Sequence, residues 1–219
     1  MTTPSPSSQG FEIVEFSSLE PHGERRKRQL VRAAAHIVEF EGLDALRMPR
    51  VAELAGCTRT LIYRYFPGRD DLLIAVAAEY YSALDERLDQ EAQKNAAQGI
   101  PPPQDALEIT LTTLDIVFEV VTELGLAGLM LRSSAHLSEG MREYLARRSE
   151  HFSARWVEPM RRSGLSGLRM ALFAEASIAL LIELVHRWQH EEILREEAMA
   201  LCRSACIGLL SGLQEPPPQ

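Results

Sequence analysis

The sequence predicts an all-α fold: a three-helix domain built around a helix-turn-helix near the N-terminus, then a larger helical domain. Three observations lead there. Apolar residues recur at helical spacing from about residue 24 to 213, and no strand pattern of note appears after residue 16. The stretch 46–73, LRMPRVAELAGCTRTLIYRYFPGRDDLL, reads as a short helix, a glycine turn, a second short helix, a proline-glycine break and the start of a longer helix. Charge is divided: residues 24–69 hold ten Lys plus Arg against five Asp plus Glu, a net of +5 in a chain of net −8, which leaves −13 on the remainder. A basic segment on an acidic body is an electrostatic footprint for phosphate.

Taken in order, residues 1–23 are an arm. Its first ten residues, MTTPSPSSQG, are of low complexity and expected to be disordered. Residues 11–16, FEIVEF, suit either a short extended segment that docks on the body or a mobile tail. The arm lacks Lys and Arg, which fits neither a secretory signal nor a DNA groove. Residues 24–70 form the helix-turn-helix domain. A helix over 24–41 carries Leu30, Ala34, Ile37 and Val38 as its apolar stripe and stops at Gly42. The run Arg25, Arg26, Lys27 and Arg28 at its start suits phosphate contact or plain solvation. Residues 43–47 connect to the first motif helix, 48–55, with Pro49 in its opening turn. Gly56 makes the turn. Thr58 caps the second motif helix, 58–66, on which Ile62 and Phe66 fall four apart on a buried face. Arg59, Thr60, Tyr63 and Arg64 take the opposite face, which has donors and no acid.

Asp70 caps a long helix running to about residue 98, and AAQGIPPPQ, 96–104, is a linker. The second domain, 71–213, continues with helices at about 105–124, 126–135, 138–163, 166–189 and 191–213, Pro159 kinking or shortening the third of these. Residues 214–219 form a tail expected to be disordered. The 219 residues, 46% hydrophobic, suffice for one sizeable core or two modest ones. No apolar run reaches bilayer length, so no membrane partner is expected. Three cysteines argue against a disulfide framework, and a cytoplasmic location is expected.

The segment VAELAGCTRTLIYRYFPGRDDLL, 51–73, resembles the TetR family of bacterial transcriptional regulators at Ala55-Gly56, Thr58, Ile62-Tyr63, Phe66, Arg69-Asp70 and Leu72-Leu73. The likeness is specific over about 25–73 and otherwise rests on length and helical pattern. Leu46-Arg47 departs from the Thr-Thr pair often found there, Tyr65 stands where His is common, and Leu61 replaces a small hydroxylated residue. The resemblance implies a sequence-specific DNA-binding regulator, a repressor released by a small-molecule effector, with no catalytic activity. It further implies a homodimer joined through the last two helices and an effector cavity in the body. Ala198, Leu201, Ala205, Gly208 and Gly212 share a helix face and permit close approach of a second helix, in the partner or within the chain. Candidate effector-pocket residues are Phe118, Val121, Met130, Phe152, Trp156, Glu175 and His186.

Dimers of a helix-turn-helix place two recognition helices in successive major grooves, so the expected partner is double-stranded DNA with a palindromic operator. Arg59 and Arg64 suit guanine edges and Thr60 a thymine methyl. Arg47, Thr58, Tyr63, Tyr65 and Arg69 suit phosphates. Two alternatives stay open. Glu183, His186 and His190 share a helical face and could hold a divalent metal in a helical-bundle enzyme. A DNA-binding factor without effector is the other. Cys202 and Cys206 are one turn apart and read as packing residues. No glycine-rich phosphate loop, serine elbow or paired-carboxylate motif is present, and no cofactor is expected.

Overall fold

The computed structural model describes residues 22–132, 134 and 137–214, without the side chains of His22, Phe152 and Ser153. The 1–23 arm, apart from His22 and Gly23, and the 214–219 tail, apart from Gln214, lie outside the described residues. Regular structure among the described residues is all helical: α1 His22–Phe40, a 3-10 turn Leu43–Ala45, α2 Met48–Leu54, α3 Arg59–Tyr65, α4 Arg69–Ala97, α5 Ala106–Leu124, α6 Ala127–Arg132, α7 Glu139–Ala154, α8 Val157–Arg162, α9 Gly167–Gln189 and α10 Arg195–Leu213. They divide into two compact units.

The first unit takes residues 22–81 and 124–146. Leu30, Ala34, Ile37 and Val38 are buried along α1, as their spacing predicts. α2 buries Met48, Val51 and Ala52, and α3 buries Ile62, with Phe66 just beyond its end. The first turns of α4 add Leu72, Leu73, Val76, Ala77 and Tyr80. α6 packs on α1. A Cβ at Gly128 of α6 would stand 2.4 Å from Cβ and Cγ of Tyr80, so only glycine lets the two backbones come this near. The division differs from the expected 70/71 boundary, which falls within the continuous α4. The first unit runs to Tyr81 and includes residues 124–146, because the opening turns of α4 bury their own apolar side and α6 docks on α1.

The second unit takes residues 82–123 and 147–214. Its core gathers Ala106, Ile109, Met160, Leu165, Phe173 and Leu210, with Trp156, Met170, Leu209 and Leu213 packed against them. Asp105 starts α5 by accepting from the amides of Leu107 and Glu108 at 2.9 and 3.0 Å. The amide of Ala106 donates to Ser163 Oγ at 2.8 Å, which ties α5 to the end of α8. α9 and α10 pack along each other. The helix expected over 138–163 is two helices. Pro159 has no amide to donate, and its ring excludes the helical position of the residue 155 carbonyl, so the chain breaks between Ala154 and Val157. The last helix starts at Arg195, not 191, since Glu191 sits at φ +60° and Leu194 is the N-cap.

Candidate nucleic-acid interface

The turn of the helix-turn-helix is built as its residues dictate. Gly56 has φ +60°, a conformation with little penalty for glycine alone. Its amide donates to the Glu53 carbonyl at 3.1 Å, and that of Cys57 to Ala52 at 2.9 Å, which closes α2. Thr58 is extended, and its Oγ1 accepts from the Leu61 amide at 3.3 Å. The hydroxyl proton of Thr58 stays free to donate outward. Behind α3, Ile62 and Phe66 are buried; in front, Arg59, Thr60, Tyr63 and Arg64 are exposed, and Tyr65 is half-buried. The exposed face of α3 therefore offers two guanidiniums and two hydroxyls, with no carboxylate on the helix. Arg47 is exposed at the N-cap of α2, where its side chain makes no cap bond.

Two polar side chains from flanking helices fix this motif. Arg26 Nη1 donates to Gln29 Oε1 at 2.7 Å, and Gln29 Nε2 donates to the Ala55 carbonyl at 3.1 Å, so α1 holds the turn by its backbone. Nothing in the sequence distinguishes Gln29 beyond its place directly after the basic run. Arg69, expected among the phosphate contacts, donates from Nε to the Leu46 carbonyl at 3.1 Å and from Nη2 to the Leu43 carbonyl at 2.8 Å. Burial pushes the Cys57 thiol up, against the opposing charge of Arg26, so the reactive thiolate is disfavoured.

The candidate effector residues are divided between the two units. Phe118 and Val121 are fully buried in α5, and Met130 is half-buried on α6 in the first unit. Trp156 is half-buried against the second unit's core, and His186 is half-buried near the end of α9. Glu175 is exposed on α9, on the same stripe as the exposed Leu168 and Leu172. The side chain of Phe152 lies outside the described residues. Helical spacing alone cannot tell a lining residue from a core residue. A cleft of about 750 Å³ in the second unit is lined by other residues of α4 and α5, among them Glu86, Arg87, Lys94, Asp115 and Glu119.

On α10, Leu201, Ala205, Gly208 and Gly212 are exposed along one stripe. Ala198 is fully buried, because it belongs with Cys202, Cys206 and Leu210 on the inward side; the interface reading does not hold for it. Cys202 and Cys206 are packing residues here, and Cys206 Sγ donates to Ser177 Oγ at 3.5 Å. Glu183 pairs with Arg187 at 2.7 Å, and His190 Nδ1 lies 2.8 Å from the His186 carbonyl. Among the described residues no group of three or more His, Cys, Asp or Glu is placed to hold a metal ion, so the helical-bundle metalloenzyme reading is not supported. No helix of the described residues is long and apolar enough to cross a membrane.

Residues 30–76 match the family described as bacterial regulatory proteins, tetR family. Among curated proteins, the chain is 34% identical over 77 residues to the HTH-type transcriptional repressor KstR of Mycobacterium tuberculosis, covering 35% of this chain and 34% of that protein. The chain thus matches about a third of the length of the curated relatives it resembles. Among solved structures, one assigned to the TetR family of transcriptional regulators, from Rhodococcus sp., is 26% identical with a TM-score of 0.57, covering 87% of this chain and 99% of that one. A TetR family transcription regulator from Marinobacter aquaeolei VT8 shares the fold at 20% identity and a TM-score of 0.59, over 84% of this chain and 96% of that one.

Proposed function

We propose that this chain, whose residues 30–76 match the bacterial regulatory proteins of the tetR family, is a sequence-specific transcriptional regulator: a homodimeric repressor released from a palindromic operator by a small molecule. The observation that carries this reading is the exposed face of α3, where Arg59, Thr60, Tyr63 and Arg64 present donors and no carboxylate. A face of that kind, held on a capped helix by a buried Ile62, suits the major groove. Arg59 and Arg64 read guanine O6 and N7, each good bidentate pair giving roughly 1–3 kcal/mol of discrimination. Thr60 meets a thymine methyl. Arg47, Thr58, Tyr63 and Tyr65 hold phosphates, which set register.

Support for the dimer comes from α9 and α10, where Leu168, Leu172, Leu201 and Ile207 are exposed beside the small residues Ala205, Gly208 and Gly212. Exposed apolar side chains on two adjacent helices are what a second copy would cover. Support for repression comes from the curated relatives, which are named as repressors. For an effector inside the body, the support is two buried polar groups of the second unit, Trp156 Nε1 and Thr113 Oγ1, which have no hydrogen-bond partner among the described residues. To invert a strongly biased equilibrium, such a ligand must prefer the DNA-free state by roughly 5.5 kcal/mol.

Selection of bound duplexes from a random pool tests the reading. The expected product is one palindromic site with half-sites roughly 34 Å apart, or a multiple of that. Uniform coating without a preferred sequence would sink it and leave an effector-independent DNA-binding factor.

A further inference from the structure

We propose that Arg69 is a positioning residue for DNA recognition, a clamp that fixes the entry of the helix-turn-helix to the start of α4 without touching phosphate. The inference rests on the DNA-binding reading and adds to it a residue that acts from behind the interface. Its guanidinium reaches back from the first residue of α4 and bridges two backbone carbonyls three residues apart, Leu46 through Nε at 3.1 Å and Leu43 through Nη2 at 2.8 Å. Those carbonyls bracket the 3-10 turn. The Leu43 carbonyl also accepts the Leu46 amide at 3.2 Å, so Arg69 completes its second lone pair. Leu46 is thereby gripped from two sides: its side chain is buried in the core and its carbonyl is held by charge-assisted bonding.

The grip matters because the reading helices hang from Leu46. α2 begins at Met48 with Arg47 as an N-cap that makes no side-chain cap bond. α2 and α3 have seven residues each, too few to be stable by helix propagation alone. Their attitude is set by outside contacts, and every tilt at Leu46 passes through α2 and the Gly56 turn to Arg59, Thr60 and Arg64. A cation at the first position of a helix also opposes the helix dipole. Carbonyl binding gives Arg69 a reason to stand there that helix preference does not. Lys, a point donor on a flexible stem, cannot reproduce the fork.

The test compares wild-type full-length protein with Arg69→Gln and Arg69→Lys. Each is titrated at several salt concentrations with the duplex recovered by selection and with a random duplex of equal length. Amide hydrogen exchange over residues 43–51 is followed without DNA. The clamp predicts that both variants lose roughly tenfold of their preference for the selected duplex, about what one charged hydrogen bond is worth. Affinity for the random duplex and its salt dependence stay near wild type, and amides 46–51 exchange faster in both variants. General destabilisation would weaken both duplexes alike, leave the preference intact and so overturn the clamp. A salt slope lowered by about 0.9 in Arg69→Gln on both duplexes and restored in Arg69→Lys would identify a phosphate contact and overturn the proposal. Wild-type exchange and wild-type preference in both variants would overturn it too. If the wild-type protein itself prefers no sequence, the DNA-recognition reading falls, and unchanged exchange in the variants then separately removes the clamp.

Discussion

The two units differ in the balance of their polar contacts. In the helix-turn-helix unit, beside the Arg50–Glu41 ion pair, side chains grip backbone: Gln29 takes the Ala55 carbonyl and Arg69 those of Leu43 and Leu46. In the body unit, beside the main-chain contacts of Ser163 and Arg169, helices are joined by ion pairs: Arg148 pairs with Asp85 at 2.6 Å, Arg155 with Asp89 at 2.9 Å, Arg87 with Glu119 and Glu123, and Arg203 with Asp115. A carbonyl grip fixes where a main-chain segment lies. An exposed ion pair, as all of these but the half-buried Arg148–Asp85 are in large part, joins two flexible arms and fixes little. The difference fits the proposal that the helix-turn-helix unit presents one short helix at a set angle. Beneath both, apolar burial dominates, so the largest effects belong to the core.

Ile62→Ala should be the most costly change, about 2–5 kcal/mol by urea unfolding, because Ile62 is fully buried and is the residue that seats α3. Operator binding should fall with it. If unfolding is barely changed, α3 is not anchored by its inner face and the comparison starts from a wrong premise. Gly128→Ala comes next. The new methyl would collide with the Cβ and ring of Tyr80, atoms that cannot swing aside, at an expected cost of about 1–3 kcal/mol. Measured against Gly140→Ala, where nothing lies within 4 Å of the added Cβ, the gap in melting temperature isolates the close approach of α6.

How legible each unit is in the sequence depends on the same division. The helix-turn-helix can be read because its determinants are local: the Gly56 turn, the Thr58 cap, Ile62 and Phe66 four apart, and the donor face of α3 all lie within a dozen residues. The apolar stripe of α1 is equally local. Contact across the fold cannot be read this way. Gln29 and Ala55 are 26 residues apart, as are Arg69 and Leu43, and no periodicity links them. From sequence alone Arg69 therefore looks like a surface cation. The body is harder still, since a pocket requires side chains from several helices to converge. Spacing puts Phe118 and Val121 on α5 without showing that they are sealed in its core, and Ala198 on the right helix but on its inward side. Glu183 and His186 share a face without the tertiary partners a metal needs.

Gln29→Ala should cost about 1 kcal/mol, the usual net worth of a hydrogen bond, and leave the Ala55 carbonyl without that donor. Its sharper signature is a loss of operator preference larger than the loss of stability, measured as the ratio of selected to random duplex affinity. A variant that lost stability but kept preference would show that α1 merely supports the turn without aligning it.

Arg87→Ala should matter least. Arg87 holds Glu119 at 3.0 Å and Glu123 at 2.6 Å, two carboxylates one turn apart on α5, yet more than a third of each of the three side chains is exposed. Removing the cation leaves like charges at a spacing of four, a repulsion of only a few tenths of a kcal/mol when water can reach both. The expected loss is therefore below about 1 kcal/mol by urea unfolding, and it should vanish in 1 M salt, where the Debye length falls to about 3 Å. Operator preference should not change at all. A larger loss that survives salt, or any shift in preference, would mean that this ion pair fixes the main chain as Gln29 and Arg69 do. The contrast between a positioned unit and a merely packed one would then have to be abandoned.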